Sequence, residues 1–147
     1  MDELPSAIAN RVSALSSQGD VLARNSQFAE AVREYSEAWK LLPEPKNHWN
    51  ASTWLLAAIG DACFLGGYFE SAQDAFAHSM ACPNGVGNPF LHMRLGQCQL
   101  ELNNPDGAAE ELCRAYALEG KGIFSQENPK YFEFLQTRIR PPVSGVW

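Results

Sequence analysis

The stretch Leu15-Ser16-Ser17-Gln18-Gly19-Asp20-Val21-Leu22, followed by Ala31-Val32-Arg33-Glu34-Tyr35-Ser36-Glu37-Ala38, decides the fold, because its pattern returns twice. Gly19, Gly60 and Gly96 are each followed twelve residues later by an alanine: Ala31, Ala72 and Ala108. Four residues further on stands a large apolar residue (Tyr35, Phe76, Leu112), and three beyond that a small one (Ala38, Ser79, Ala115). A fixed offset repeated three times is the mark of one structural unit copied along the chain. The spacing predicts a helical hairpin, with glycine and alanine where its two helices press together. Residues four before and three after each glycine share a helical face. They are Leu15 and Leu22, then Leu56 and Cys63, then His92 and Gln99, so the third copy is the weakest.

Turn-forming stretches separate the helices of each unit: Asn25-Ser26-Gln27, Gly66-Gly67-Tyr68 and Asn103-Asn104-Pro105-Asp106. Glycine and asparagine tolerate the left-handed backbone that ends a helix, and Pro105 suits the first turn of the next. The pattern Leu15-x2-Gln18-Gly19-x2-Leu22…Ala31-x3-Tyr35…Pro43 and its two echoes resemble the tetratricopeptide repeat family. The glycines lie 41 and 36 residues apart, against about 34 for that repeat. The extra residues fall in the loops 43–50 and 83–89. For Trp49 in the first of these loops two accounts stand: simple drift, or extension of a binding surface.

The expected architecture is therefore all-α. It is one domain over 1–147, with repeats at about 12–45, 53–84 and 89–120 stacked as a short right-handed solenoid. Residues 121–127 read as a loop. Asn128-Pro129 opens a capping helix at about 129–139, stopped by Pro141-Pro142 and followed by a tail at 140–147 that ends on Trp147.

Composition bounds the function. At 147 residues with 46% hydrophobic content the chain can bury a core. A formal net charge of -6 disfavours nucleic acid and anionic membranes, which need a basic footprint. No apolar run is long enough to span a bilayer, and the acidic, proline-broken start is unlike a signal peptide. Cys63, Cys82, Cys98 and Cys113 are widely spaced and read as buried thiols of a cytoplasmic protein. His48, His78 and His92 are scattered, and Gly85-Val86-Gly87 reads as a turn. The adjacent pair Glu110-Glu111 reads as a solvated face. No catalytic, metal or cofactor motif is present, so the expectation is a non-enzymatic protein without cofactor or metal.

In the family that the chain resembles, the first helices of successive repeats line a concave groove. The matching positions are Ser13, Ser16, Asp20 and Ala23, then Trp54, Ala57, Asp61 and Phe64, then Phe90, Met93, Gln97 and Leu100, with Arg24 and Arg94 nearby. The second and third sets are apolar and aromatic, which suits a partner helix or extended segment, although periodicity equally allows packing against neighbouring helices. Asp20 and Asp61 would repel a carboxylate partner, so the chain departs from the basic clamp of chaperone-binding members. The segment 119–135 is similar to small bacterial repeat proteins associated with polymorphic, Rhs-type toxins. That resemblance implies an immunity protein holding a toxin domain. Size and repeat number also resemble type III translocator chaperones, which hold a secreted client, and a general scaffold is the third reading. In each case the partner is another protein, and the chain is a monomer or a weak homodimer.

Overall fold

The computed structural model describes residues 3–147, and among them every regular element is helical. Three helical hairpins follow one another: α1 (Ser6–Arg24) with α2 (Phe28–Lys40), α3 (Asn50–Leu65) with α4 (Phe69–Met80), and α5 (Pro89–Glu101) with α6 (Pro105–Glu119). A final helix, α7, spans Pro129–Gln136. Short 3-10 turns at Lys46–His48 and Lys121–Phe124 occupy stretches expected to be loops. α1 begins about two turns earlier than the apolar pattern indicated, and α7 stops at Gln136 rather than near Ile139.

The glycine pattern has a direct physical basis. A Cβ on Gly19 would lie 2.5 Å from the Tyr35 ring, one on Gly60 2.8 Å from the Phe76 ring, and one on Gly96 2.8 Å from Leu112 Cγ. Each glycine therefore makes room for the large residue sixteen positions on, across its own hairpin. The turns are also one device used three times. Gln27 N donates to Leu22 O and Ser26 N to Ala23 O; Tyr68 N donates to Cys63 O and Gly67 N to Phe64 O; Asn104 N donates to Gln99 O and Asn103 N to Leu100 O. The left-handed residue of each is Ser26, Gly67 or Asn103. This paired-bond ending satisfies carbonyls that the helix leaves open.

The chain forms two compact units, Met1–Val86 and Gly87–Trp147. In the first, the apolar stripe Ile8, Val12, Leu15 and Leu22 of α1 packs with Ala31, Tyr35 and Ala38 of α2 and with Leu55 and Ala62 of α3. Ser79, buried where the other hairpins have alanine, donates its hydroxyl to Thr53 O at 2.7 Å. Lys46 donates to Trp39 O and Leu42 O and closes the end of α2, where a cation meets open carbonyls favourably.

In the second unit Met93, Leu112, Ala115, Phe124, Phe132 and Leu135 form the core, with Trp147 packed on it against Tyr116 and Phe132. Each of its three α-helices starts on Asn-Pro. Asn88, Asn104 and Asn128 accept from Phe90 N, Gly107 N and Lys130 N, while the proline takes a first-turn place where no N–H is needed.

Candidate functional site

The face expected to form a groove has a different fate in each unit. In the first, the side of α1 opposite its apolar stripe is open. A groove of about 610 Å³ runs along it, lined by Ser6, Asn10, Ser13, Ser17 and Asp20 of α1 and by Trp54 near the start of α3. These α1 positions recur every three or four residues, which keeps them on one stripe of the helix. Trp54 is 46% exposed, whereas Trp39, Trp49 and Trp147 are buried or half-buried. The Ser16 hydroxyl is turned inward and donates to Val12 O at 2.7 Å. Asp20 is exposed but held, because the Tyr35 hydroxyl donates to its Oδ1 at 2.6 Å. Burial and that bond to a carboxylate both push the Tyr35 phenol well above its ordinary range.

Of the remaining candidates in this unit, Ala57 and Asp61 are half-buried, and the Phe64 ring meets Phe69 of its own hairpin edge-on at 5.6 Å. Trp49 corrects an expectation. It does not extend a surface but is 7% exposed in the core of the first unit, with its indole Nε1–H donating to Pro43 O at 2.9 Å. A loop tryptophan can turn inward when the loop itself supplies an acceptor for its one polar atom.

In the second unit the matching face of α5 is covered by the chain itself, so the expectation of an apolar groove there is overturned. Met93 is sealed beneath Phe124, Phe132 and Leu135. Gln97 is fully buried, Arg94 nearly so, and both bind Glu127. Arg94 also donates to Gln97 Oε1 at 2.9 Å, and its guanidinium lies 5.0 Å from the centre of the Phe90 ring. The segment after α6 thus fills the place that a partner was expected to take.

Glu111 is a second correction. Glu110 is solvated and pairs with Arg114, but Glu111 is buried, 2.6 Å from His92 Nδ1. At the end of α5, Glu101 accepts from both Lys130 and Tyr131. Burial works to raise its carboxyl, but those two bonds and the Lys130 charge outweigh it and hold the group below its ordinary range. Gln99 Oε1 is buried without a hydrogen-bond partner among the described residues, a cost of about 1–3 kcal/mol in the hairpin whose pattern is weakest. A further cavity of about 510 Å³ opens among Lys121, Phe124, Phe132 and Gln136.

Of the ten candidates, the structure brings Asp20 and Trp54 to one open groove. Pattern reading passed over Ser6, Asn10, Ser17 and Asn50, which line it too. For the three on α1 the only signal was a small polar residue at every helical turn opposite the apolar stripe; Asn50, at the start of α3, had none.

No family model matches the chain, and no curated protein matches it in sequence. Solved structures do match in fold. The Yersinia enterocolitica type III secretion chaperone SycD, in complex with a peptide of the translocator YopD, is similar with a TM-score of 0.69 at 13% identity, covering 87% of this chain and 92% of that one. A second structure, of the Yersinia enterocolitica type III secretion translocator chaperone SycD, gives a TM-score of 0.69 at 14% identity, covering 92% of this chain and 86% of that one. At such identities the likeness shows a shared arrangement of helical hairpins.

Proposed function

We propose that this protein is a non-enzymatic binding module of the tetratricopeptide kind that holds an extended segment of a partner protein along α1, in the manner of a secretion chaperone and its client. The observation that carries the reading is the open groove beside the exposed Trp54. It lies in a fold shared with a chaperone that is described with a peptide of its own partner. An aromatic side chain left half in water gains most when a partner covers it. The absence of enzymatic chemistry is part of the proposal, supported by the packing of the reactive groups. Burial pushes the Cys63 and Cys82 thiols up, which makes them poor nucleophiles, and His92 and Glu111 are locked together inside a hairpin. Among the described residues no helix is long and apolar enough to cross a membrane. The cytoplasm is proposed as the protein's compartment because Cys63, Cys82, Cys98 and Cys113 are free thiols.

The immunity reading has one observation in its favour. The stretch 119–135 that carries that resemblance also lines the 510 Å³ cavity of the second unit. Against it, Phe124, Phe132 and Leu135 of that stretch are core residues, so packing accounts for them.

Panning the purified chain against a displayed library of random peptides separates the two. The groove reading expects enriched peptides whose affinity falls about tenfold or more in Trp54→Ala. It fails if no peptide is enriched, or if Trp54→Ala binds the enriched peptides unchanged. The immunity reading expects instead a folded domain whose toxicity co-expression relieves, with Gln136→Arg in the cavity abolishing the rescue.

A further inference from the structure

We infer that the segment held in the α1 groove is extended and carries a basic side chain, which pairs with Asp20. The inference rests on the proposed function and adds the chemistry of the occupant.

Charge comes first. The residues lining the groove include two carboxylates, Glu3 and Asp20, and no lysine or arginine. Asp20 forms no ion pair among the described residues; Arg24, one turn further along α1, is not part of the lining. The carboxylate is also preorganised. The Tyr35 hydroxyl occupies Oδ1 and fixes the plane of the group, while its exposure leaves Oδ2 for a second donor. A neutral donor gains one charge-assisted bond from such a group. A lysine or arginine side chain adds the attraction of opposite charges, without the entropic cost of ordering the acceptor.

Shape comes second. The α1 lining runs from Ser6 to Asp20, about 21 Å at the helical rise of about 1.5 Å per residue. At about 3.3 Å per residue, an extended chain of six or seven residues spans it. The exposed hydroxyls of Ser13 and Ser17 and the Asn10 and Asn50 amides can both donate and accept, as the two sides of a peptide bond require. Trp54 offers an apolar wall to a side chain between the ends.

The test uses capped seven-residue peptide libraries that differ only in one end position: lysine or arginine, glutamine, or glutamate. Affinities are read by fluorescence polarisation on the full chain. The basic libraries should bind about tenfold more tightly than the glutamine library in low salt, and the gap should close as salt is added. Asp20→Asn keeps an acceptor for Tyr35 and should erase the preference while the fold is retained. Asp20→Lys should reverse it towards glutamate. If the libraries bind in a Trp54-dependent way but rank equally, or if Asp20→Asn leaves the ranking intact, the inference fails while the groove reading stands. If no library binds, both fall.

Discussion

The same helical position meets water in the first hairpin and protein in the third. Ser13, Ser16 and Asp20 stand six and three residues before, and one after, their glycine; Phe90, Met93 and Gln97 stand at those offsets from theirs. The first set borders an open groove, whereas Met93 and Gln97 are roofed by residues 124–135 of their own chain. Side-chain chemistry follows this difference. Where the face stays open it is built of hydroxyls and a carboxylate; where it is closed it combines apolar packing with a paired charge. A repeat therefore defines a scaffold position and leaves its use to whatever lies over it.

The comparison breaks most visibly at Glu127. Its replacement by alanine leaves the buried Arg94 guanidinium and Gln97 amide without the carboxylate that both use, and should cost about 3 kcal/mol in denaturant unfolding. Replacing Arg94, Gln97 and Glu127 together by Met, Leu and Leu should recover most of that loss. Equal losses in both variants would mean that the carboxylate serves packing rather than the charge. Asp20 on the open face of α1 has no ion-pair partner among the described residues, so Asp20→Ala should cost less, about 1.5 kcal/mol for its bond from Tyr35.

Alkali should touch both units alike. The Tyr35 and Tyr131 phenols each donate to a carboxylate and are each raised by burial. A raised folded value adds stability that is fully present below the unfolded value of about 10 and is lost as pH rises through the folded one. In a tyrosinate absorbance titration, the phenols of Tyr35 and Tyr131 should stay protonated beyond the ordinary phenol value of about 10, and should appear only as the chain unfolds. Ionisation of Tyr35 and Tyr131 at that ordinary value, with the fold intact, would contradict both bonds.

The smallest effect concerns turns. The left-handed position is glycine or asparagine in the second and third hairpins but Ser26 in the first. Ser26→Gly should therefore stabilise the first unit by about 0.5–1 kcal/mol, seen as a higher melting temperature. Asn103→Gly should do less.

The hairpins were legible because glycine, alanine and a bulky residue at fixed offsets leave few ways to pack two helices. The site was legible only in part. Asp20 and Trp54 lie where helical spacing put them, but spacing along α5 could not show that residues thirty positions on would cover it. Nor could Trp49 reveal that a proline carbonyl in its own loop would satisfy its indole. Glu111 was misread because helical adjacency describes one helix and its partner, His92, is on another. The early start of α1 was hidden because Ile8 is the only large apolar residue between Ser6 and Arg11, a stretch whose Ser6 and Asn10 line the groove.

The pairing of each hairpin glycine with one bulky side chain has a consequence for how such a chain can change. The width of a hairpin is gauged by two residues, Gly19 with Tyr35, Gly60 with Phe76 and Gly96 with Leu112, and by little that lies on the outer faces. Loops of unequal length and faces of opposite polarity can then diverge freely while the gauge is kept. A compensated swap, a small side chain at the glycine with a slimmer residue opposite, would widen or narrow one hairpin alone and so retune a groove without rewriting its lining.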